Sequence, residues 1–335
     1  MRTLLFPARL IGLAALVVAA GCERPPIEAT QTGYRGTGMA DIQNPRADEG
    51  ASGYPAALPA ASSDGPKAGD VYQNVQVLGD LSVGEFTRLM TAITAWVSPE
   101  AGCNYCHNPA NLASDEIYTK VVSRRMIQMT QHVNEDWKDH VGANGVNCYT
   151  CHRGKNVPEY IWFADEGVQS RMATYAGNRN GQNAPSPAVG YASLPVDSFS
   201  DYLVSADNPR ARVVGTSPLA SGEQGATIQK TEAVYGLMMH LSQSLDVNCT
   251  YCHNTSSFQN WETSNAARLT AYHGVEMVRG LNAEYLIPLK DTYPENRLGP
   301  YGDAPKTYCL TCHQGQAKPM GGAPAVEAYP ALAGE

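Results

Sequence analysis

The sequence predicts a mainly α fold with long loops, built from two copies of one module and joined by a connector containing short strands. Three observations predict it. Cys-x-x-Cys-His occurs four times, the four copies alternate between two flanking patterns, and an amphipathic helical stretch precedes the first motif of each pair. Length and composition set the frame: 335 residues suffice for one large or two modest cores. Lys+Arg 24 against Asp+Glu 32 gives a net charge of −8, which speaks against nucleic acid as a partner and favours a basic one. No apolar run reaches the roughly 18 to 20 residues that a transmembrane helix needs, so a multi-span membrane protein is excluded.

Residues 1–21 read as a signal peptide. Arg2 and Arg9 flank the start of the apolar run from Leu10 to Ala20, which is too short to span a bilayer and ends in small residues. Ala19-Ala20-Gly21-Cys22 resembles a bacterial lipoprotein box, in which cleavage exposes the cysteine for acylation. Cys22 is also the one cysteine of nine that the four motifs leave over. Removal of residues 1–21 takes away two arginines and no acid, so the net charge moves from −8 to −10. Two or more acyl chains would give stable attachment. Residues 22–80 are then expected to be a lipid-anchored, extended segment.

The motifs are Cys103–His107, Cys148–His152, Cys249–His253 and Cys309–His313. Two thiols at this spacing, Cys103 with Cys106, Cys148 with Cys151, Cys249 with Cys252 and Cys309 with Cys312, can each add to one vinyl group of a haem. The adjoining His107, His152, His253 or His313 then turns onto the iron. Zinc ribbons, disulfides and thioredoxin-like pairs do not require histidine at the same offset four times. Four covalently bound c-type haems are therefore expected, which suits an exported chain.

Motifs one and three share Tyr-Cys-His-Asn, whereas motifs two and four share Thr-Cys-His-x-Gly, so the order is A-B then A-B. This places a first dihaem module at 81–154 and a second at 228–315. Between them, 155–227 is a cysteine-free connector with strand-like pieces at Tyr160-Ile161-Trp162-Phe163 and Arg212-Val213-Val214. Residues 316–335 read as an extended tail.

Each A motif follows a helix. Phe86, Leu89, Met90, Ile93 and Val97 keep helical spacing over 84–97, as do Val234, Leu237, Met238, Leu241 and Leu245 over 231–245. Met90 stands thirteen residues before Cys103 and Met238 eleven before Cys249. A methionine on such a stripe is ordinarily core, but an iron needing a sixth ligand beside each stripe makes these two candidate distal ligands. Met239 lies about 100° off that face. The stretch 117–141, without internal Gly or Pro, predicts one long helix carrying Met126, Met129, His132 and His140. On a continuous helix, Met126 and His140 would lie about 21 Å apart and within about 40° of one face, able to serve two different haems. Met129 also lies near this face, and helical phase alone does not choose.

The repeat discriminates. Aligning Met129-x-x-x-x-Asn134 with Met277-x-x-x-x-Asn282 puts Gly274 opposite Met126 and Pro288 opposite His140, so the second module lacks both. If Met126 serves the second haem, the fourth must borrow a ligand, for which His140 is the natural candidate; Met129 and Met277 are then packing residues. His132, His240 and His273 would complete an all bis-histidine set, but their repeat equivalents are Gly280, Ala92 and Arg125. Three Met/His haems and one bis-His haem fit better.

This pattern resembles the tetrahaem cytochrome subunit of photosynthetic reaction centres of purple and related phototrophic bacteria. The resemblance runs from the lipoprotein box to the fourth motif, and the connector and tails match only in character. Carried over by position, it implies the axial pairs His107 with Met90, His152 with Met126, His253 with Met238, and His313 with His140. It implies a mostly helical fold whose two dihaem modules are related by a pseudo-twofold axis. Because His140 belongs to the first module yet serves the fourth haem, the second and fourth haems would adjoin, giving the order one, two, four, three. The implied role is electron transfer without catalysis on a substrate, at the periplasmic face of the inner (photosynthetic) membrane. A soluble donor, either a small cytochrome c or a high-potential iron–sulfur protein, would supply electrons. The third haem would lie nearest the bacteriochlorophyll special pair in the core subunits. The competing expectation is a respiratory multihaem carrier or reductase, which should keep an open iron or a full membrane helix.

Overall fold

A computed structural model describes residues 28–33, 38–43, 53–164, 198–205, 211 and 228–334. The signal segment, Cys22 and Arg212-Val213-Val214 lie outside the described residues.

The chain opens with a two-stranded antiparallel hairpin, β1 (Glu28–Gln31) and β2 (Ala40–Gln43), with Glu28 opposite Gln43. A single turn, α1 (Ala68–Val71), leads to α2 (Val83–Val97). Helix α2 starts where Ser82 accepts from the Glu85 backbone while the Glu85 carboxylate accepts from the Ser82 backbone, satisfying two donors that the first turn would otherwise leave unpaired. Next come α3 (Tyr118–Asp136), α4 (Lys138–Val141) and α5 (Cys148–His152). Within the connector lies α6 (Ser198–Leu203), and beyond it α7 (Ile228–Leu245), α8 (Ala266–Leu281) and α9 (Cys309–His313). Among the described residues no helix is long and apolar enough to cross a membrane.

Two hydrophobic clusters organise these elements. One joins Leu89, Ala92 and Trp96 of α2 to Ile127 of α3, and is completed by Tyr329 and Leu332 from the C-terminal segment. The other joins Leu237 of α7 to Val275, Met277, Val278 and Leu281 of α8, and is completed by Phe199, Tyr202 and Leu203 of α6. A buried asparagine fastens each completing segment. Asn134 donates to the Leu332 carbonyl and brackets Val146, accepting from its N–H and donating to its C=O. Asn282 does the same with Leu203 and Thr307. Val146 and Thr307 each stand two residues before the first cysteine of a B motif, so one side chain ties helix, motif and completing segment together.

Three expectations change. The stretch 117–141 is not one helix: it breaks at Trp137 (φ −110°, ψ 31°), and α4 sets off in a new direction. Trp137 packs against the second cluster and faces Gly280 of α8, so tertiary packing of the indole outweighs local helix preference. The 21 Å axial spacing of Met126 and His140 therefore does not apply. The tail is not simply extended either: Tyr329 meets Trp96 edge-on at 4.8 Å, Arg88 lies 4.1 Å over the Tyr329 ring, and Leu332 is fully buried. Residues 22–80 contain the hairpin and α1 rather than extended chain alone. The strand-like piece at Tyr160 to Phe163 contributes one antiparallel bridge, Trp162 to Lys306.

Candidate haem sites

The two motif classes fold differently, and their shared residues explain how. The B motifs are single helical turns, α5 and α9, each followed by two residues in the left-handed region: Arg153 and Gly154 (φ 50° and 79°), and Gln314 and Gly315 (φ 49° and 79°). Glycine adopts that region freely, hence the common Thr-Cys-His-x-Gly. The reversal carries the carbonyl of Lys155 to 2.8 Å from His152 Nδ1 and that of Gln316 to 2.8 Å from His313 Nδ1. The A motifs are 3-10 turns at Gly102–Tyr105 and Cys249–Tyr251. Their shared asparagine turns the following loop, Asn108 accepting from the Ala110 N–H and Asn254 from the Ser256 N–H, each at 2.9 Å. Those loops bring the Leu112 carbonyl to 3.2 Å from His107 Nδ1 and the Phe258 carbonyl to 2.9 Å from His253 Nδ1.

All four motif histidines thus share one arrangement. A carbonyl can only accept, so each Nδ1 carries the proton and Nε2 presents its lone pair. This is the backbone support that fixes tautomer and ring orientation in metal-ligating imidazoles. Burial pushes the pKa of His152 and His253 down, and that of His313 down to about 4, against the opposing pull of the backbone hydrogen bond. In these three the shift favours the neutral imidazole, the form that binds a metal.

A cavity of about 1600 Å³ is lined by His107, His152, His313 and the six cysteines of motifs one, two and four. It exceeds the roughly 300–1,000 Å³ of a pocket for one drug-sized ligand. Met90, Met126, Met129, Met277 and His140 also line it. Thr94, one turn after Met90 on α2, brings its hydroxyl to 3.9 Å from Cys103 Sγ, which seats motif one against the Met90 face. Met238 packs instead against the α7–α8 cluster. His140 reaches across to the second half of the chain: its Nδ1 donates to the Thr270 carbonyl at 2.9 Å, and its ring centroid lies 5.9 Å from that of His313. Burial pushes the His140 pKa down as well.

The remaining histidines are engaged elsewhere, and none lines the cavity. His132 lies 2.8 Å from the Tyr285 hydroxyl and 3.3 Å from Asp136. His240 stacks on Tyr308 at 4.7 Å, and His273 lies 4.0 Å from Asp139.

Motifs two and four meet. Arg153 donates to the Cys312 carbonyl and Gln314 to the Cys151 carbonyl, so the residue after each B-motif histidine contacts the other motif's second cysteine. The sulfurs of Cys151 and Cys312 lie against one another, with their Cα atoms 4.4 Å apart. The cause is the reciprocal packing of α5 and α9, which points both second thiols at the shared boundary. Burial pushes the thiols of Cys148 and Cys309 up to about 12.

The sequence profile of the family described as "Photosynthetic reaction centre cytochrome C subunit" matches residues 23–333. This chain belongs to that family. Among reaction-centre cytochrome c subunits it is 51% identical to that of Rubrivivax gelatinosus over 96% of this chain and 88% of the relative. It is 49% identical to that of Thermochromatium tepidum, over 97% and 81% of the two chains, and 45% identical to that of Roseobacter denitrificans, over 98% and 93%. A reaction-centre cytochrome c subunit carries covalent c-type haem, works in electron transfer rather than catalysis, and associates with the reaction-centre core at the photosynthetic membrane.

Two features of the site were missed at the level of sequence. The paired Asn134 and Asn282 stood in the repeat alignment, yet nothing in it distinguished a loop clamp from a helix-capping residue. The carbonyl anchors of the four histidines leave no side-chain signature, because backbone does the work.

Proposed function

We propose that the chain holds four haems, with axial pairs His107 with Met90, His152 with Met126, His253 with Met238, and His313 with His140. Eight cysteines would attach them: Cys103, Cys106, Cys148, Cys151, Cys249, Cys252, Cys309 and Cys312. The observation that carries this reading is the common anchoring of the four motif imidazoles, together with His140 held beside His313 on its own carbonyl anchor, the two ring centroids 5.9 Å apart. Haem supplies reversible one-electron chemistry when bound. The residues of this chain set how readily each site yields its electron: a thioether is the weaker donor to ferric iron, so the three Met/His sites should have higher potentials and the His140–His313 site a lower one.

The reciprocal contacts of Arg153 and Gln314 support two dihaem modules, 81–154 and 228–315, related by a pseudo-twofold axis with the second and fourth sites beside it. The sites would then run one, two, four, three. The N-terminal hairpin supports the orientation. The Ala40 carbonyl accepts from Asn248 and Thr250, and the Ile42 N–H donates to Asn248, so the hairpin is fastened to motif three. Cys22 stands six residues before Glu28, a reach of at most about 22 Å. An acylated Cys22 would therefore hold the third site toward the membrane and the reaction-centre core, on the periplasmic face. The first site, at the far end, would receive electrons from a soluble periplasmic carrier, a small cytochrome c or a high-potential iron–sulfur protein. The net-negative surface favours a basic carrier.

Pyridine haemochrome analysis of the mature protein should return four c-type haems per chain, and peptide mapping should find two thioethers in every motif. A Cys151–Cys312 bridged peptide in the haem-loaded protein would overturn the attachment proposed at sites two and four.

A further inference from the structure

We propose that Gly274 determines the ligand set of the fourth site, by leaving the space that His140 fills. The proposal rests on the reading of His140 and His313 as an axial pair. Gly274 lies within α8, buried and away from either end, where glycine weakens a helix and needs a packing reason. The reason is the imidazole. A Cβ on residue 274 would lie 2.5 Å from His140 Cε1, 2.8 Å from Nδ1 and 3.1 Å from Nε2. Those are atoms of a rigid ring, not the far end of a flexible side chain.

The ring also has little freedom to move aside. Its Nδ1 is held by the Thr270 carbonyl, one turn earlier on the same helix, and its other side faces His313. Even a methyl group at 274 would break the carbonyl anchor or push Nε2 off the axis toward His313. The other glycine of this helix shows the contrast. A Cβ on Gly280 would meet the Trp137 ring at 3.7 Å and Glu284 Oε1 at 3.8 Å, both ordinary contacts.

The repeat gives the position its meaning. Gly274 corresponds to Met126, and both line the cavity. One module places a thioether there; the other places nothing, and the imidazole of α4 enters from outside the module. Loss of the methionine and entry of the histidine are a single structural event. A side chain at 274 and an imidazole at the fourth iron exclude one another.

The test uses the full-length, haem-loaded protein, with carbon monoxide binding to the ferrous form, low-temperature electron paramagnetic resonance and redox titration. Gly274→Ala should lose the bis-imidazole signal and bind one carbon monoxide per protein, with the other three haems titrating as before. Gly280→Ala should behave as the parent. His140→Ala should bind one carbon monoxide. His140→Ala/Gly274→Met removes the clash and offers a thioether at the position Met126 occupies in the other module. It should block carbon monoxide again, raise the fourth potential and gain the near-infrared thioether-to-iron band. The double variant decides the matter if Gly274→Ala fails to load haem. A Gly274→Ala protein with the parent's signal and potential would overturn the proposal, as would a double variant that binds carbon monoxide like His140→Ala. If His140→Ala alone leaves all four irons closed, the axial reading falls and the role of Gly274 falls with it.

Discussion

Asn282 shows how much one side chain can organise. It is fully buried, donates to the carbonyls of Leu203 and Thr307, and accepts from the Thr307 N–H. Alanine would take the Asn282 partner from the Thr307 N–H and the Leu203 carbonyl, while the Thr307 carbonyl keeps the Trp162 indole N–H, at about 1–3 kcal/mol for each group left unsatisfied and partly offset by relaxation. We expect Asn282→Ala to lower stability by about 2–4 kcal/mol, read as a drop in the guanidinium midpoint, and Asn134→Ala, which removes a corresponding set of three bonds, to lower it in the same way. A shift under about 0.5 kcal/mol for Asn282→Ala would show that the loop before Cys309 holds itself in place. At this scale the sequence was legible where a residue type has one dominant chemistry. Cysteine and histidine in a fixed pattern pointed to haem attachment. Gly154 and Gly315 stood in the motif, but their task, two consecutive left-handed residues that return a carbonyl to Nδ1, needs backbone angles that no spacing reveals.

Among the elements, α2 and α7 were readable because an apolar stripe at helical period is the signal of a helix packed on one side. The α3–α4 boundary was not. Nothing between Asp136 and Asp139 is a helix breaker, and the chain turns because Trp137 is drawn into a core made by α7 and α8, whose position only the fold supplies. His140 consequently reaches His313 by a change of direction, not along one helix face. The choice between Met126 and Met129 belongs to α3 itself. Both line the cavity, and Met129 also packs against the second cluster, with Met277 as its buried counterpart. Met126→Leu should open the second iron to one carbon monoxide in the ferrous protein, whereas Met129→Leu should leave all irons closed and cost about 1 kcal/mol or less, as volume-conserving swaps do. Carbon monoxide binding by Met129→Leu alone would reverse the assignment.

For the whole molecule, an internal repeat is visible in sequence because it is a pattern of spacings, whereas the segments that complete each core are not. Leu332 and Leu203 come from different parts of the chain and do corresponding work, one from a tail rich in Ala, Gly and Pro and the other from the connector. Their small size and irregular flanks carry no period to detect. Attachment to the membrane also belongs to this scale. Cys22→Ala should release the protein from washed membranes into the soluble periplasmic fraction with its haem content intact; retention on the membrane would mean that contacts with the reaction-centre core suffice. The central claim is electron delivery to the photo-oxidised special pair. Flash-induced absorbance in native membranes, following the special pair and the haem α-band together, tests it most directly. Haem oxidation should keep pace with re-reduction of the special pair, at a rate independent of added soluble donor. Haems that stay reduced after the flash, while remaining titratable in the dark, would contradict the account.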